Sequence, residues 1–247
     1  MASHSLPDSL QEVAKTAVVI GASSGIGEAI ARRLAKDGWR LGLAARRLER
    51  LGALAADLET HAIIRHMDLA EPEKAALALD DLIDCLGTVD LIVISSGTGH
   101  INPDLDWSPD KTTLTVNVLG FAAVAQVAMR HFIRRGAGHL VGISSIMALR
   151  GAGRGAAYAA SKAFVSTYLD GLRDLARQKH LPITVTEAQP GFVNTAMMKT
   201  NRPFWVASPD KAAKQILAAV HRRAKHAYIT KRWGIVALRF KLSSRPG

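Results

Sequence analysis

Residues 21–27 read Gly21-Ala22-Ser23-Ser24-Gly25-Ile26-Gly27, after a short apolar run at 16–20 and before a helical pattern at 28–36. Glycines between a strand and a helix allow a tight turn and a close approach of the backbone to a ligand. The free N–H groups and positive dipole end of the helix then favour an anion such as pyrophosphate. A glycine-rich turn is often only a turn, but this placement near the start of an α/β chain predicts a phosphate-binding function.

The rest of the chain alternates short apolar runs with helix-length patterns. This alternation is typical of βαβ units with parallel strands buried on both faces. It predicts an α/β fold, a Rossmann-like doubly wound parallel sheet of about seven strands flanked by helices, with its ligand crevice at the carboxyl ends of the strands. The predicted strands are 16–20, 40–44, 62–66, 89–94, 139–143, 183–187 and 226–229.

Proline marks several of the predicted helix starts. Its missing N–H costs nothing in the first turn of a helix, and a serine directly before it can cap the helix. The three starts are Glu71-Pro72, Ser108-Pro109 and Ser208-Pro209.

Length and composition favour one large domain. The chain has 247 residues, 48% hydrophobic and 21% charged, which is enough to bury a core and excludes global disorder. The single cysteine, Cys85, excludes a disulfide framework and a multi-cysteine metal site, as expected for a reducing cytosol. No apolar run nears the length of a membrane span and the start does not resemble a signal peptide, so we predict a cytoplasmic protein.

Charge and pattern divide the chain into parts. We predict an N-terminal extension at 1–14, a Rossmann-fold domain at 15–230 with a lid loop at 191–207, and a basic tail at 231–247. Residues 199–247 hold 12 Lys and Arg against one acid, Asp210, whereas the first 198 residues are balanced, so the net charge of +11 lies in the last fifth. A neutral body with a cationic end is unlike a nucleic-acid-binding protein, and we predict no nucleic-acid partner.

The residues after the second predicted strand bear on cofactor choice. The sequence there is Ala44-Ala45-Arg46-Arg47, without the Asp or Glu that holds the ribose 2′-OH in NAD-selective sites. Arg46, with Arg47 as its neighbour, can pair with a 2′-phosphate, which favours NADP(H); alternatively both are solvated residues at a helix start. Asp68, after the third strand, can accept from the adenine amino group or be a simple cap.

Tyr158 and Lys162 are four residues apart in a predicted helix at 156–175 and so project from one face. A phenol acts as an acid or base near neutral pH only if its anion is stabilised, and a nearby ammonium does this. Ser145 lies at the end of the fifth predicted strand, and Asn117 lies in Val116-Asn117-Val118.

These motifs together resemble the short-chain dehydrogenase/reductase family over nearly the whole chain. The resemblance implies an NAD(P)-dependent oxidoreductase that interconverts a carbonyl and an alcohol, with Tyr158 as general acid and base and Ser145 bonding the substrate oxygen. It implies that Lys162 lowers the pKa of Tyr158 and holds the nicotinamide ribose, that Asn117 keeps a water in a proton relay, and that Thr195 contacts the carboxamide. The implied cofactor-binding residues are Gly21, Ser23, Ser24, Gly25, Ile26, Gly27, Arg46, Arg47, Asp68, Leu69, Ser96, Gly97, Tyr158, Lys162, Pro190, Gly191, Val193 and Thr195.

One motif departs from the family pattern. Where the family commonly has Asn-Asn-Ala-Gly, this chain has Ile94-Ser95-Ser96-Gly97, which keeps the glycine but lacks the amide side chains. We expect cofactor binding to persist. The alternative function is a catalytically weak NADP(H)-sensing binding protein on the same fold, although loss of Tyr158 or Lys162 is the expected mark of such a protein.

The sequence also indicates what the protein binds and how it assembles. The nine scattered His show no metal-ligand spacing, so we predict no catalytic metal. Lid residues predict an apolar wall for a small-molecule carbonyl or alcohol, with Lys199 and Arg202 available for an anionic group. The apolar and small residues of 121–132 and 156–175, with the family resemblance, predict a homodimer or homotetramer.

The basic tail suggests a second kind of contact. In a helix, Trp233, Val236, Ala237 and Phe240 would share one flank and Ile235, Leu238 and Leu242 the next. With its Lys and Arg, the segment favours peripheral contact with the inner face of a membrane, with Trp at the headgroup level. Completion of a dimer interface or coverage of the substrate cleft are the alternatives.

Overall fold

The computed structural model describes residues 14–198 and 203–243. Seven parallel strands form one sheet in the order β3-β2-β1-β4-β5-β6-β7. The strands are β1 (Thr16–Ile20), β2 (Arg40–Ala45), β3 (Ala62–His66), β4 (Leu91–Ile94), β5 (Gly138–Ile143), β6 (Ile183–Pro190) and β7 (His226–Ile229). This confirms the predicted Rossmann-like doubly wound sheet.

Helices cover both faces of the sheet. They are α1 (Gly25–Lys36), α2 (Leu48–Ala56), α3 (Pro72–Leu86), α4 (Trp107–Leu114), α5 (Phe121–Arg135), α6 (Ala156–Gln178), α7 (Pro209–His221) and α8 (Trp233–Ser243). A π-helical turn, Thr115–Gly120, joins α4 to α5, and a 3₁₀ turn, Ile146–Leu149, follows β5.

The alternation of side chains along β1 divides the core into two layers. Val18 and Ile20 point towards α3, α5 and α6, whereas Ala17 and Val19 point towards α1, α2 and α7. All four are fully buried, as expected for a central strand with helices on both faces. The order of the strands reverses between β1 and β4, and the carboxyl ends of these two strands open the crevice that such folds use for ligands.

Several predicted boundaries differ from the structure by one to three residues, and two of these differences have a visible cause. The fourth strand begins at Leu91 rather than at 89, because the carbonyl of Val89 accepts from the Arg135 guanidinium at 2.9 Å instead of joining the ladder. The helix predicted to begin at Pro109 begins at Trp107, because the Asn102 side chain bonds both the N–H and the C=O of Asp106 and forms the turn earlier.

One continuous helical stretch in the described residues, Trp107–Arg135, is long and apolar enough to span a membrane by length and composition. From the sequence, no segment of membrane-spanning length and apolar character was expected. More than half of its most apolar part, 56%, is buried inside the protein, and α5 packs on α3 and the sheet. Its apolar character is therefore that of a core helix.

Candidate active site

The glycine turn connects β1 to α1 in a conformation that requires glycine. Gly21 has φ 90°, and a Cβ there would lie 2.7 Å from the backbone nitrogen of Ser96 at the end of β4. A Cβ on Gly27 would lie 2.3 Å from the carbonyl oxygen of Gly21. Side chains are therefore excluded at positions 21 and 27, and the side chain of Ile26 packs against the core.

The start of α1 fits the phosphate groups of a dinucleotide. Ser24 is the N-cap residue, but its side chain makes no capping bond to the helix. Its hydroxyl instead accepts from Arg47 Nη2 at 2.7 Å, and Ser23 Oγ accepts from the same nitrogen at 2.9 Å. Because the Ser24 hydroxyl is bonded to Arg47, it does not cap the helix, and the backbone N–H groups of the first turn can bind an anionic ligand.

The two arginines after β2 take different positions. Arg46 is exposed at the edge of the crevice, whereas Arg47 is partly buried and reaches back to the serines of the glycine turn. Two guanidinium groups therefore border the place beside β2 where a doubly wound fold holds the adenosine ribose.

Asp68 and Leu69 follow β3 and border the same crevice. The Asp68 carboxylate accepts from the backbone N–H of Ala70 at 2.9 Å, which forms a turn ahead of α3, and the N-cap residue of α3 is Glu71 rather than Asp68. Leu69 is buried, and its carbonyl oxygen would lie 2.1 Å from a Cβ on Gly120, so only glycine lets the π-helical turn approach. Contact of Asp68 with adenine stays a prediction.

Asn117 lies in the π-helical turn and is buried. Its Oδ1 accepts from the N–H of Thr98 at 2.8 Å, and its Nδ2 donates to the carbonyl of Thr98 at 2.7 Å and to Ser161 Oγ at 2.9 Å. Asn117 therefore ties the loop after β4 to α6, which is the kind of link that the missing Asn-Asn-Ala-Gly amides would supply. A water relay at Asn117 stays a prediction.

Ser145, Tyr158 and Lys162 lie together at the carboxyl end of β5. The Ser145 hydroxyl lies beside the Tyr158 phenol and lowers its pKa, and Lys162 Nζ donates to the carbonyl of Ile143 at 3.0 Å. Lys162 Nζ is 5.9 Å from the centroid of the Tyr158 ring. A Cβ on Gly99 would lie 2.7 Å from that ring, so the glycine backbone forms one wall of the tyrosine's position.

Burial controls the ionisation of this group. It raises the pKa of the Tyr158 phenol, and the hydrogen bond from Ser145 opposes only part of the rise. It lowers the pKa of the Lys162 ammonium to about 8. Desolvation of the phenol thus outweighs the effect of Ser145, and a lowering of the Tyr158 pKa by Lys162 stays a prediction.

A buried carboxylate supports the site from behind, and the sequence analysis missed it. Ser144 Oγ donates to Glu187 Oε1 at 2.5 Å, and Ser166 on α6 donates to the same oxygen. Gln189 Nε2 donates to Ser166 Oγ at 3.2 Å. These bonds hold β5, β6 and α6 together directly next to Ser145 and Lys162. A carboxylate in a strand predicted to be buried on both faces was the available signal.

The loop after β6 covers the crevice. Val193 forms a β-bridge with Ala207, and the side chain of Thr195 lies against the glycine turn, 3.0 Å from a Cβ placed on Gly25. The Met197 methyl would lie 4.0 Å from a Cβ on Gly97, a position that is also 3.3 Å from Lys162 Nζ. Thr195 therefore contacts the glycine turn, and Met197 lies near Lys162. Lys199 and Arg202 lie outside the described residues.

The first residues of this loop also pack on the chain's last helix. Pro190 ends β6 beside Ile229, and a Cβ on Gly191 would lie 1.8 Å from the Trp233 indole. Trp233 is 3% exposed and meets Phe192, Phe204 and Trp205 in an aromatic cluster, with centroids 5.0 to 6.0 Å from its own. The sequence left membrane contact, a dimer interface and coverage of the cleft open for Trp233, because a pairing with Gly191, 42 positions away, leaves no local signal.

Within residues 14–198 and 203–243, no three His, Cys, Asp or Glu side chains are grouped as metal ligands would be. The crevice instead combines a glycine turn, two guanidinium groups and a Ser-Tyr-Lys cluster. The arrangement is suited to hold a phosphate-rich ligand and to move a proton beside it.

Comparison with known proteins supports this reading. A sequence model described as short chain dehydrogenase matches residues 15–204. An uncharacterized oxidoreductase of Myxococcus xanthus is 36% identical over 205 residues, 79% of this chain and 80% of that protein.

Two solved structures share the fold. An alcohol dehydrogenase from the archaeon Thermococcus sibiricus, complexed with 5-hydroxy-NADP, matches with a TM-score of 0.77 and 26% identity over 87% of this chain and 95% of its own. A short chain dehydrogenase/reductase from Burkholderia phymatum in complex with NAD matches with a TM-score of 0.82 and 20% identity, over 95% of this chain and 96% of its own.

The fold and these matches define an oxidoreductase with a nucleotide-binding Rossmann fold. The chain belongs to the short-chain dehydrogenase/reductase family.

Proposed function

We propose that the protein is an NADP(H)-dependent oxidoreductase that interconverts a carbonyl and an alcohol, with Tyr158 as the general acid and base. The observation that carries the proposal is the cluster of Ser145, Tyr158 and Lys162 at the crevice, with Lys162 Nζ 5.9 Å from the centroid of the Tyr158 ring and the Ser145 hydroxyl beside the phenol. A bound nicotinamide cofactor supplies or accepts the hydride.

The residues of the chain divide the remaining work. The Tyr158 phenol is protonated at neutral pH and so carries the proton that a carbonyl oxygen takes up during reduction. The phenolate left behind would be stabilised by the Lys162 ammonium, against the effect of burial. Ser145 Oγ, next to that phenol, donates to the same oxygen and stabilises its developing charge. Asn117 and Gly99 fix the loop and the tyrosine ring, so the proton donor is held in place before substrate binds.

The cofactor side of the proposal follows from the crevice. The uncapped start of α1 would hold the pyrophosphate, Arg46 and Arg47 the 2′-phosphate, and Lys162 the nicotinamide ribose. The Thermococcus sibiricus enzyme, with its NADP-type ligand, supports this choice, whereas the Burkholderia phymatum enzyme holds NAD. The preference therefore rests on the arginines.

The substrate side favours an apolar carbonyl compound. Met197, Phe204 and Trp205 of the loop are between 41% and 51% exposed near the mouth of the crevice. Exposed aromatic and thioether surface at a cleft is suited to apolar ligands.

The test is a substrate panel followed by NADPH absorbance. We expect turnover of apolar ketones or aldehydes, and weaker turnover of sugars and small hydroxy acids. If NADPH binds in calorimetry but no carbonyl or alcohol is turned over, the catalytic proposal is wrong and the cofactor-sensing alternative is correct.

We further propose a homodimer or homotetramer built on α5 and α6. The outer side of α6 carries exposed or partly buried small and apolar residues at helical spacing, namely Ala160, Phe164, Thr167, Gly171 and Leu175. A stripe of this kind wraps further around the helix than packing on the sheet requires.

Light scattering should give a particle of more than the 26.5 kDa protomer at micromolar concentration. Gly171→Gln should shift it to the protomer mass, because a Cβ on Gly171 meets nothing within 4 Å and the longer side chain projects into the interface. Gly52→Gln is the matched control, since Gly52 on α2 has the same open surroundings. A wild-type protomer mass, or an unchanged Gly171→Gln assembly, contradicts this interface.

A further inference from the structure

The C-terminal helix α8 has two apolar sides, and the protein uses only one of them. Trp233 and Ala237 are 3% and 1% exposed and pack with Ile146 of the 3₁₀ turn. On the other side, Ile235, Leu238 and Leu242 are 70%, 60% and 71% exposed. Their spacing of three and four residues puts them on one line along the helix, which we call the outer face.

Cations flank the outer face. Lys231 and Arg232 directly precede α8, and Arg239 lies within it; all three are exposed. Lys231 and Arg232 also line a cavity of about 200 Å³ together with Lys211, and no acidic residue lines it. The one acid in residues 199–247, Asp210, pairs with Arg33 of α1 at 2.7 Å, so it does not neutralise the cations around α8.

We propose that the outer face of α8 docks the protein onto an anionic phospholipid bilayer. The three apolar side chains enter the boundary between headgroups and acyl chains, and the flanking Lys and Arg contact lipid phosphates, with the Lys211, Lys231 and Arg232 cavity receiving a headgroup. Trp233 takes no part, because it is buried against Gly191. This separates the proposal from the interfacial helix that the sequence predicts.

The charge and size of the surface favour a bilayer over a second copy. Self-association through α8 would bring together two chain ends with a net charge of +11 each. An eleven-residue helix is about 16 Å long, and its three outer side chains cover far less than the roughly 800 Å² per partner of a stable protein interface. A bilayer needs no complementary shape, and both apolar insertion and anionic charge add to its binding. The proposal does not depend on the enzymatic one.

The experiment is sedimentation of the full chain with vesicles of phosphatidylcholine and phosphatidylglycerol, or of phosphatidylcholine alone, at low and high salt. We expect binding to the anionic vesicles at low salt, and loss of most binding at high salt or without phosphatidylglycerol. Ile235→Ser/Leu238→Ser/Leu242→Ser should lower the partition constant by about tenfold or more. Lys231→Gln/Arg232→Gln should lower it by about fivefold for each charge.

Leu48→Ser/Leu77→Ser is the matched control, because both side chains are exposed but lie on α2 and α3. Its binding should equal that of the wild type, and all variants should keep the wild-type melting temperature. Wild-type protein that stays in the supernatant at low salt, or an outer-face variant that sediments like the control, overturns the proposal. So does a smaller particle for the outer-face variant in lipid-free light scattering, which identifies a second copy as the occupant.

Discussion

Replacement of Tyr158 by phenylalanine should lower kcat by about 10² or more while NADPH still binds. The change keeps the ring, which packs against the backbone of Gly99, and removes only the hydroxyl that lies beside Ser145. Because the phenol is the proposed source of the proton, its loss leaves the carbonyl oxygen without an acid in the transition state. Steady-state kinetics with the best carbonyl of the panel, and calorimetry with NADPH, measure the two effects separately.

Tyr168→Phe is the matched control on the same helix. Tyr168 accepts from Gln126 Nε2 at 3.2 Å and stacks on Phe164, away from the Ser-Tyr-Lys cluster. Its activity should stay close to that of the wild type. A Tyr158→Phe enzyme that retains most of its activity refutes the role of Tyr158, and an equal loss in both variants assigns the effect to folding of α6.

The parts of the fold that sequence predicts well are those with local causes. A strand followed by glycines at 21, 25 and 27 has few alternatives, because φ 90° at Gly21 and the contact of Gly27 with the Gly21 carbonyl exclude other residues. Short apolar runs likewise identify the seven strands, because the side chains of each strand alternate between two faces that are both covered by helices. Boundaries are less predictable where a distant side chain intervenes, as Arg135 does at Val89.

The candidate site shows the same division. The spacing of Tyr158 and Lys162 places both on one helix face, and the strand order brings Ser145 to them. Burial of Tyr158, by contrast, depends on Gly99 and on the loop that Asn117 holds, and it raises the pKa of the phenol in a way that no local spacing indicates. The position of Trp233 against Gly191 depends on the path of the whole C-terminal segment, which no short pattern encodes.

The kcat/KM with NADPH should exceed that with NADH by about tenfold or more, and Arg46→Asp should reverse the order. A tenfold preference corresponds to about 1.4 kcal/mol, which one charge-assisted phosphate contact supplies. Arg46 is exposed at the end of β2 and is free to meet a 2′-phosphate there, whereas a carboxylate in its place repels that phosphate and can accept from a 2′-OH. Initial rates with both cofactors, at a fixed carbonyl concentration, measure the ratio.

Two further variants locate the contact. Arg134→Asp makes the same change of charge at the end of α5, directly before β5. Arg134 therefore lies at the amino ends of the strands, opposite the crevice, and this variant should keep the NADPH preference. Arg47→Gln breaks the bonds to Ser23 and Ser24 that organise the glycine turn, so it should weaken binding of both cofactors to a similar extent. If Arg47→Gln instead abolishes the preference while Arg46→Asp leaves it intact, Arg47 holds the 2′-phosphate. Equal kcat/KM values for the wild type, or a preference for NADH, contradict NADP(H) as the cofactor, because neither guanidinium then recognises a phosphate.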